Sequence, residues 1–123
     1  ESDILKKNEK TPNREYSLEA IFFDANQKHL NKQFEESNLV IQNISKNYSG
    51  YPIWSAKSLL LMSKNFYSLN DSFQAIFILE TVISNFSQFP NIVSQAKEEL
   101  EKIKNVEINY NSSIDNKKYE DEI

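Results

Sequence analysis

The chain has 123 residues, 39% of them hydrophobic, 26% charged and 12% aromatic, the balance of one ordinary soluble domain with room for one modest core. It has no cysteine, which excludes a disulfide framework, a thiolate zinc site and a cysteine nucleophile, and which is compatible with both cytoplasm and periplasm. Fourteen basic against 18 acidic residues give a net charge of −4, which argues against a general nucleic-acid binder with its basic footprint.

Residues 1–15 hold only Ile4 and Leu5 as large apolar side chains among alternating charges, and they are expected to form a polar linker or arm. A first residue of Glu with no charged-then-apolar leader is expected of a mature form or of a piece of a longer protein. From about residue 16 to 106, apolar positions recur every three or four residues, the pattern of helices with a face to bury.

The first predicted helix covers about residues 16–30, with Ser17 as N-cap and an inward face of Leu18, Ile21, Phe22, Ala25 and His29. A turn at Asn31 and Lys32 leads to a second, about 33–47, burying Phe34, Ser37, Val40, Ile41 and Ile44. Tyr48-Ser49-Gly50-Tyr51-Pro52 then breaks the chain, Gly50 suiting a left-handed helix end and Pro52 a first helical turn. The third helix, about 52–69, is apolar over more than half its circumference, from Ile53 and Trp54 to Phe66 and Tyr67, and so requires neighbours on two sides.

Asn70, Asp71 and Ser72 supply a turn and N-cap for the fourth helix, about 72–86, which carries Phe73, Ala75, Ile76, Leu79, Val82 and Ile83. The last helix, about 91–104, sets a stripe of Ile92, Val93, Ala96, Leu100 and Ile103 against a charged face from Lys97 to Lys102. Residues 107–123 are expected to form an acidic, flexible, solvated tail. No apolar run exceeds four or five residues, as in Ile76, Phe77, Ile78 and Leu79, far below the ~20 that span a bilayer. A single glycine excludes glycine-rich phosphate loops.

The second helix matches the fourth at an offset of 38 residues: Ser37 falls on Ala75, Val40 on Ile78, Ile41 on Leu79 and Ile44 on Val82. The aromatic-Ser-x-aromatic-Pro run of residues 48–52 falls on Phe86-Ser87-Gln88-Phe89-Pro90. Ile21 and Ala25 likewise fall on Leu59 and Ser63, while Leu30, Asn31 and Phe34 match Leu69, Asn70 and Phe73 only after a one-residue slip in the turn. The unit is a helical hairpin of about 38 residues, present twice, with a terminal helix over the open end.

This pattern resembles the tetratricopeptide repeat (TPR) family. The small residue at the family's helix crossing looks like Ser37 and Ala75, and other signature positions look like Leu59, Met62, Ser63, Phe66, Leu79 and Val82 in the second unit. In the first unit they look like Ile21, Asp24, Ala25, Lys28, Ile41 and Ile44, where Asp24 and Lys28 depart from the family's large apolar residues. The long unit with aromatic-Pro linkers is similar to TPR proteins of the bacterial cell envelope, as the C-terminal repeats of a longer array. The resemblance implies an all-α right-handed superhelix of helical hairpins, two TPR-like units with a C-terminal capping helix. It also implies a periplasmic or outer-membrane-associated location.

In TPR proteins the first helix of each unit lines an inner groove that binds a peptide or helix of another protein. By resemblance that face maps to Phe22, Asn26 and His29 in the first unit and to Lys57, Leu60, Lys64 and Tyr67 in the second. Lys57 and Lys64, seven residues apart, share one side of a helix about 10 Å from each other. With Asn26 they suit a carboxylate or an acidic peptide; as a solvated lysine pair they need no ligand. The likeness to the family's carboxylate clamp is partial, because Leu61 stands where a clamp has a basic residue.

His29 is the sole histidine, without an H-E-x-x-H motif or flanking carboxylate, and reads as a packing or groove residue rather than a catalyst. Glu35/Glu36 and Glu98/Glu99 are neighbours on their helices, so each pair points about 100° apart and forms ordinary solvated faces. Tyr51 and Trp54 suit either an exposed partner anchor or packing between units. No catalytic residues, metal ligands or cofactor are expected. Two functions remain open: a non-enzymatic scaffold binding a protein or peptide in its groove, or a module that self-associates, as a homodimer through Phe22, Phe23, Trp54 and the open first hairpin, with no separate ligand.

Overall fold

The computed structural model describes the backbone of residues 12–122 and the side chains of residues 17–114. Of the expected polar arm, residues 1–11 lie outside the described residues. The described chain is all-α, in five helices: α1 (Pro12–Leu30), α2 (Phe34–Asn47), α3 (Pro52–Ser68), α4 (Ser72–Asn85) and α5 (Pro90–Glu122).

All three prolines of the chain open a helix, at Pro12, Pro52 and Pro90, where a missing N–H is harmless and a fixed φ is already helical. Pro12 therefore starts α1 four residues before the expected Tyr16, and Ser17 lies inside the helix instead of capping it. Asp71 caps α4, its carboxylate accepting from the Gln74 N–H at 3.1 Å.

Each helix packs against the next along the chain. α1 also meets α3, and α3 meets α5, whereas α2 and α4 do not touch. The broadly apolar α3 thus has neighbours on every side, as its sequence requires.

The 38-residue period is visible in the backbone hydrogen bonds. Tyr48 N–H donates to Ile44 O and Phe86 N–H to Val82 O; Trp54 N–H donates to Tyr51 O and Ile92 N–H to Phe89 O. Gln33 N–H donates to Lys28 O and Asp71 N–H to Phe66 O, both at 2.8 Å. Lys32 and Asn70 occupy the same left-handed position in these two turns, with φ of 62° and 63°. The hairpin turns therefore align with no slip: the one-residue shift suggested by Leu30-Asn31 and Leu69-Asn70 is a likeness of side chains, not of backbone. Gly50 is also not the left-handed residue expected of it, because no glycine has positive φ. Tyr48 and Phe86 end their helices with negative φ instead, so Gln88 fills Gly50's place in the second unit.

The core has two apolar parts. The larger joins α3, α4 and α5 through Ala56, Leu60, Ala75, Leu79, Val82, Ile92, Ala96 and Ile103; the smaller joins α1, α2 and α3 through Ala25, Ile41 and Leu61. Ser37 and Ala75, the small residues at the two hairpin crossings, are both fully buried. Phe73 is the exception to the predicted faces. It lies on the outer side of α4 with Phe77, both exposed, since Ala75, Leu79 and Val82 already fill the inner side.

The last helix does not stop near Lys104. It continues to Glu122 over 33 residues, about 50 Å at 1.5 Å per residue, and its last buried residue is Ile103. Where a flexible tail was expected, the backbone is helical and overhangs the body, and residues 108–114 are exposed.

Lys32→Asn should stabilise the fold by up to about 1 kcal/mol by relieving a left-handed lysine, and Gly50→Ala should be neutral or mildly stabilising because nothing lies within 4 Å of an added Cβ; urea unfolding midpoints measure both. Ser58 is buried with a hydroxyl that has no hydrogen-bond partner, and its equivalents at the 38-residue offset are Ala20 and Ala96. Ser58→Ala should raise stability by about 1 kcal/mol in the same assay.

Candidate functional site

The inner faces of α1, α3 and α5 bound two cavities that share Lys64. One, of about 290 Å³, is lined by Phe22, Asn26, Lys57, Leu60 and Lys64, with Leu61, Ile92 and Gln95 completing it. The other, of about 310 Å³, is lined by His29, Lys64 and Tyr67 together with Ser63, Ser68, Leu79, Glu99 and Ile103. All seven residues that the resemblance places on a groove line one of two adjoining hollows.

Their local settings differ. Leu60 is buried and forms a floor, Phe22, Asn26, His29 and Lys57 are half-buried, and Lys64 and Tyr67 are exposed. Lys57 Nζ stands 4.6 Å from the centroid of the Trp54 ring, a cation–π contact that holds an otherwise flexible ammonium at the cavity edge. Trp54 in turn meets Phe22, with centroids 5.7 Å apart. Trp54 is thus a packing residue between α1 and α3, and its buried indole N–H has no partner among the described residues. Neither Lys57 nor Lys64 forms an ion pair among the described residues, whose bridges are Lys28–Asp24, Lys102–Glu98 and Lys104–Glu80.

His29 is held by a buried polar chain. Its Nδ1–H donates to Asn65 Oδ1 at 2.7 Å, and Asn65 Nδ2 donates to Ser37 Oγ at 2.8 Å and to Asn38 Oδ1 at 2.9 Å. Ser37 Oγ donates to the Ala25 carbonyl at 2.8 Å. That carbonyl fixes the polarity of the whole chain. A backbone oxygen only accepts, so the Ser37 hydroxyl proton is used and its oxygen must accept from Asn65. The amide of Asn65 then turns its oxygen to His29, which places a proton on Nδ1. Phe34 packs edge-on against the imidazole, 5.5 Å between centroids.

Three lining or supporting residues escaped the sequence reading. Asn65 lies on the α3 stripe of Ser58, Leu61 and Met62, the i, i+3, i+4, i+7 set that faces the first hairpin, and this spacing was the available signal. Gln95 and Glu99 are the residues 38 positions after Lys57 and Leu61, so extending the period once more along α5 finds both. Glu99 departs from the solvated face assigned to it: it is half-buried in the second cavity, whereas Glu98 is exposed and pairs with Lys102 at 3.5 Å.

Among the described residues no group of three or more His, Asp or Glu side chains is arranged to hold a metal ion, and no helix is long and apolar enough to cross a membrane. Comparison with protein-family models, curated proteins and solved structures gives no match to this chain.

Asn65→Ala should cost about 3 kcal/mol in chemical denaturation, since it leaves the buried Ser37 and Asn38 groups, and the half-buried His29, short of a partner. A loss below about 1 kcal/mol would mean that the chain of bonds contributes little.

Proposed function

We propose that this chain is a non-enzymatic, tetratricopeptide-like scaffold whose groove across α1, α3 and α5 receives a peptide or helix of a partner protein. The observation that supports it best is the convergence of Phe22, Asn26, His29, Lys57, Leu60, Lys64 and Tyr67, drawn from two helices, on two adjoining cavities. An apolar floor with a few polar groups at its edge is the usual chemistry of a recognition site. Lys57 and Lys64, neither engaged by a carboxylate among the described residues, suit an acidic segment or carboxylate, with Asn26 and Gln95 as amide partners. The resemblance to envelope TPR proteins suggests a bacterial periplasmic or outer-membrane-associated assembly as the setting.

The experiment is a crosslinking pull-down from envelope extracts with the full chain as bait. Lys57→Glu with Lys64→Glu should reduce capture of its partner about tenfold, the effect of reversing two partly exposed charges, while circular dichroism keeps its helical signal. Lys57→Arg with Lys64→Arg should retain capture. Equal capture by the wild type and the charge reversal would sink the groove assignment.

A further inference from the structure

The three helices that open with proline carry a small residue at one shared position: Ala20 in α1, Ser58 in α3 and Ala96 in α5. Ser58 is 3% exposed and Ala96 0%, because each lies against the helix before it, α2 and α4 respectively. Ala20 has no such helix over it among the described residues and is exposed. The neighbouring position repeats the contrast, with Leu61 5% exposed and its counterpart Phe23 63%. Beside them Ala20, Ile21 and Asp24 of α1 and Leu39, Val40 and Asn43 of α2 line an open cleft of about 460 Å³. The same molecule therefore displays what covers this surface: a neighbouring helix presenting an apolar side chain, as α2 presents Ile41 toward Ser58, Leu61 and Met62.

One such helix stands uncovered at the other end. Beyond Ile103, α5 exposes Val106, Tyr110 and Ile114, at 54%, 65% and 46%, spaced four residues apart along one ridge of the kind that fills a groove between helices. Residues 104–122 of this helix reach about 28 Å, longer than the roughly 21 Å of the 14-residue α2. Lys104 and Glu107 are the only charges among residues 104–114, the first three turns that carry the ridge, whereas residues 115–122 hold six, so little charge must be stripped of water when the ridge itself is covered. A helical segment of this length with no neighbour is marginal in water.

We infer that the α5 overhang of one copy seats on the bare α1 face and α1–α2 cleft of a second copy, joining copies head to tail. The junction repeats between chains the α2-on-α3 and α4-on-α5 packing within each chain. It is heterologous: ridge and seat are different surfaces, so a row of copies keeps one free seat at one end and one free ridge at the other. It is independent of the groove proposed above, which faces α3 and the buried part of α5.

Sedimentation of the full chain up to about 100 μM, a range that includes weak specific contacts, tests this. The wild type should self-associate with increasing concentration. Phe23→Glu, in the seat, and Tyr110→Glu, in the ridge, should each weaken association at least tenfold. An equimolar mixture of the two should form a one-to-one complex, because it contains one intact ridge and one intact seat. Ala20→Arg and Ile114→Glu provide a second pair at exposed positions, and circular dichroism separates a folding failure from a lost contact. A monomeric wild type would overturn the inference, as would loss with Tyr110→Glu but not Phe23→Glu, which is self-pairing of α5. Failure of the mixture to restore the complex would overturn it as well.

Discussion

The side-chain amide of Asn65 sets the relation of the first three helices. It is fully buried between the two apolar parts of the core and bonds to groups from both α1 and α2. An apolar side chain there would tolerate sliding of α3 along the first hairpin, whereas a network in which each member has its partner permits one register. The register decides where the groove residues lie. With α3 shifted by one turn, Lys57 and Lys64 would no longer face Asn26 and Gln95, and the two cavities would not adjoin. The same network fixes the ring of His29, so the rim of the second cavity is set by the core rather than by a surface rotamer.

The period of 38 was readable because burial requires it: Ile41 and Leu79, Ile44 and Val82, and Ser37 and Ala75 occupy identical depths, and hydrophobicity reports depth. What it does not report is backbone conformation. The only glycine drew attention to residue 50, yet the left-handed turns fall at Lys32 and Asn70, where hydrogen bonds closing each helix demand that geometry whatever the side chain. Asn65 was missed for the complementary reason, that a polar residue on an apolar stripe looks like an interruption until its partners are seen. Phe73 misled in the opposite sense, as an aromatic residue that no neighbour covers. The seven residues assigned by the family resemblance line the two cavities, and α5 was read too short because its stripe loses contact with the body at Ile103 although its backbone bonds continue.

The two cavities differ in chemistry. Around Lys57 and Lys64 the polar groups are donors, helped by the amides of Asn26 and Gln95, above an apolar floor of Phe22 and Leu60. Around His29 and Glu99 the lining is mixed: the Glu99 carboxylate and an imidazole whose Nδ1 proton is committed to Asn65 stand beside Lys64, Tyr67 and the hydroxyls of Ser63 and Ser68. The carboxylate lines this cavity and not the other, so the two hollows differ in charge although they share Lys64.

The packing of each helix only on its sequence neighbours, and on the next but one, has a kinetic consequence. No contact joins α1 to α5 or α2 to α4, so every loop that must close during folding spans a hairpin or two. Chains in which contacting residues are close in sequence reach the native state in microseconds to milliseconds. The chain can begin from either hairpin, because each contains a complete turn with its own closing bonds. The second hairpin has a side-chain cap at Asp71 and contributes to the larger apolar cluster, and the Asn65 amide is removed from water only once α1 and α2 pack on α3.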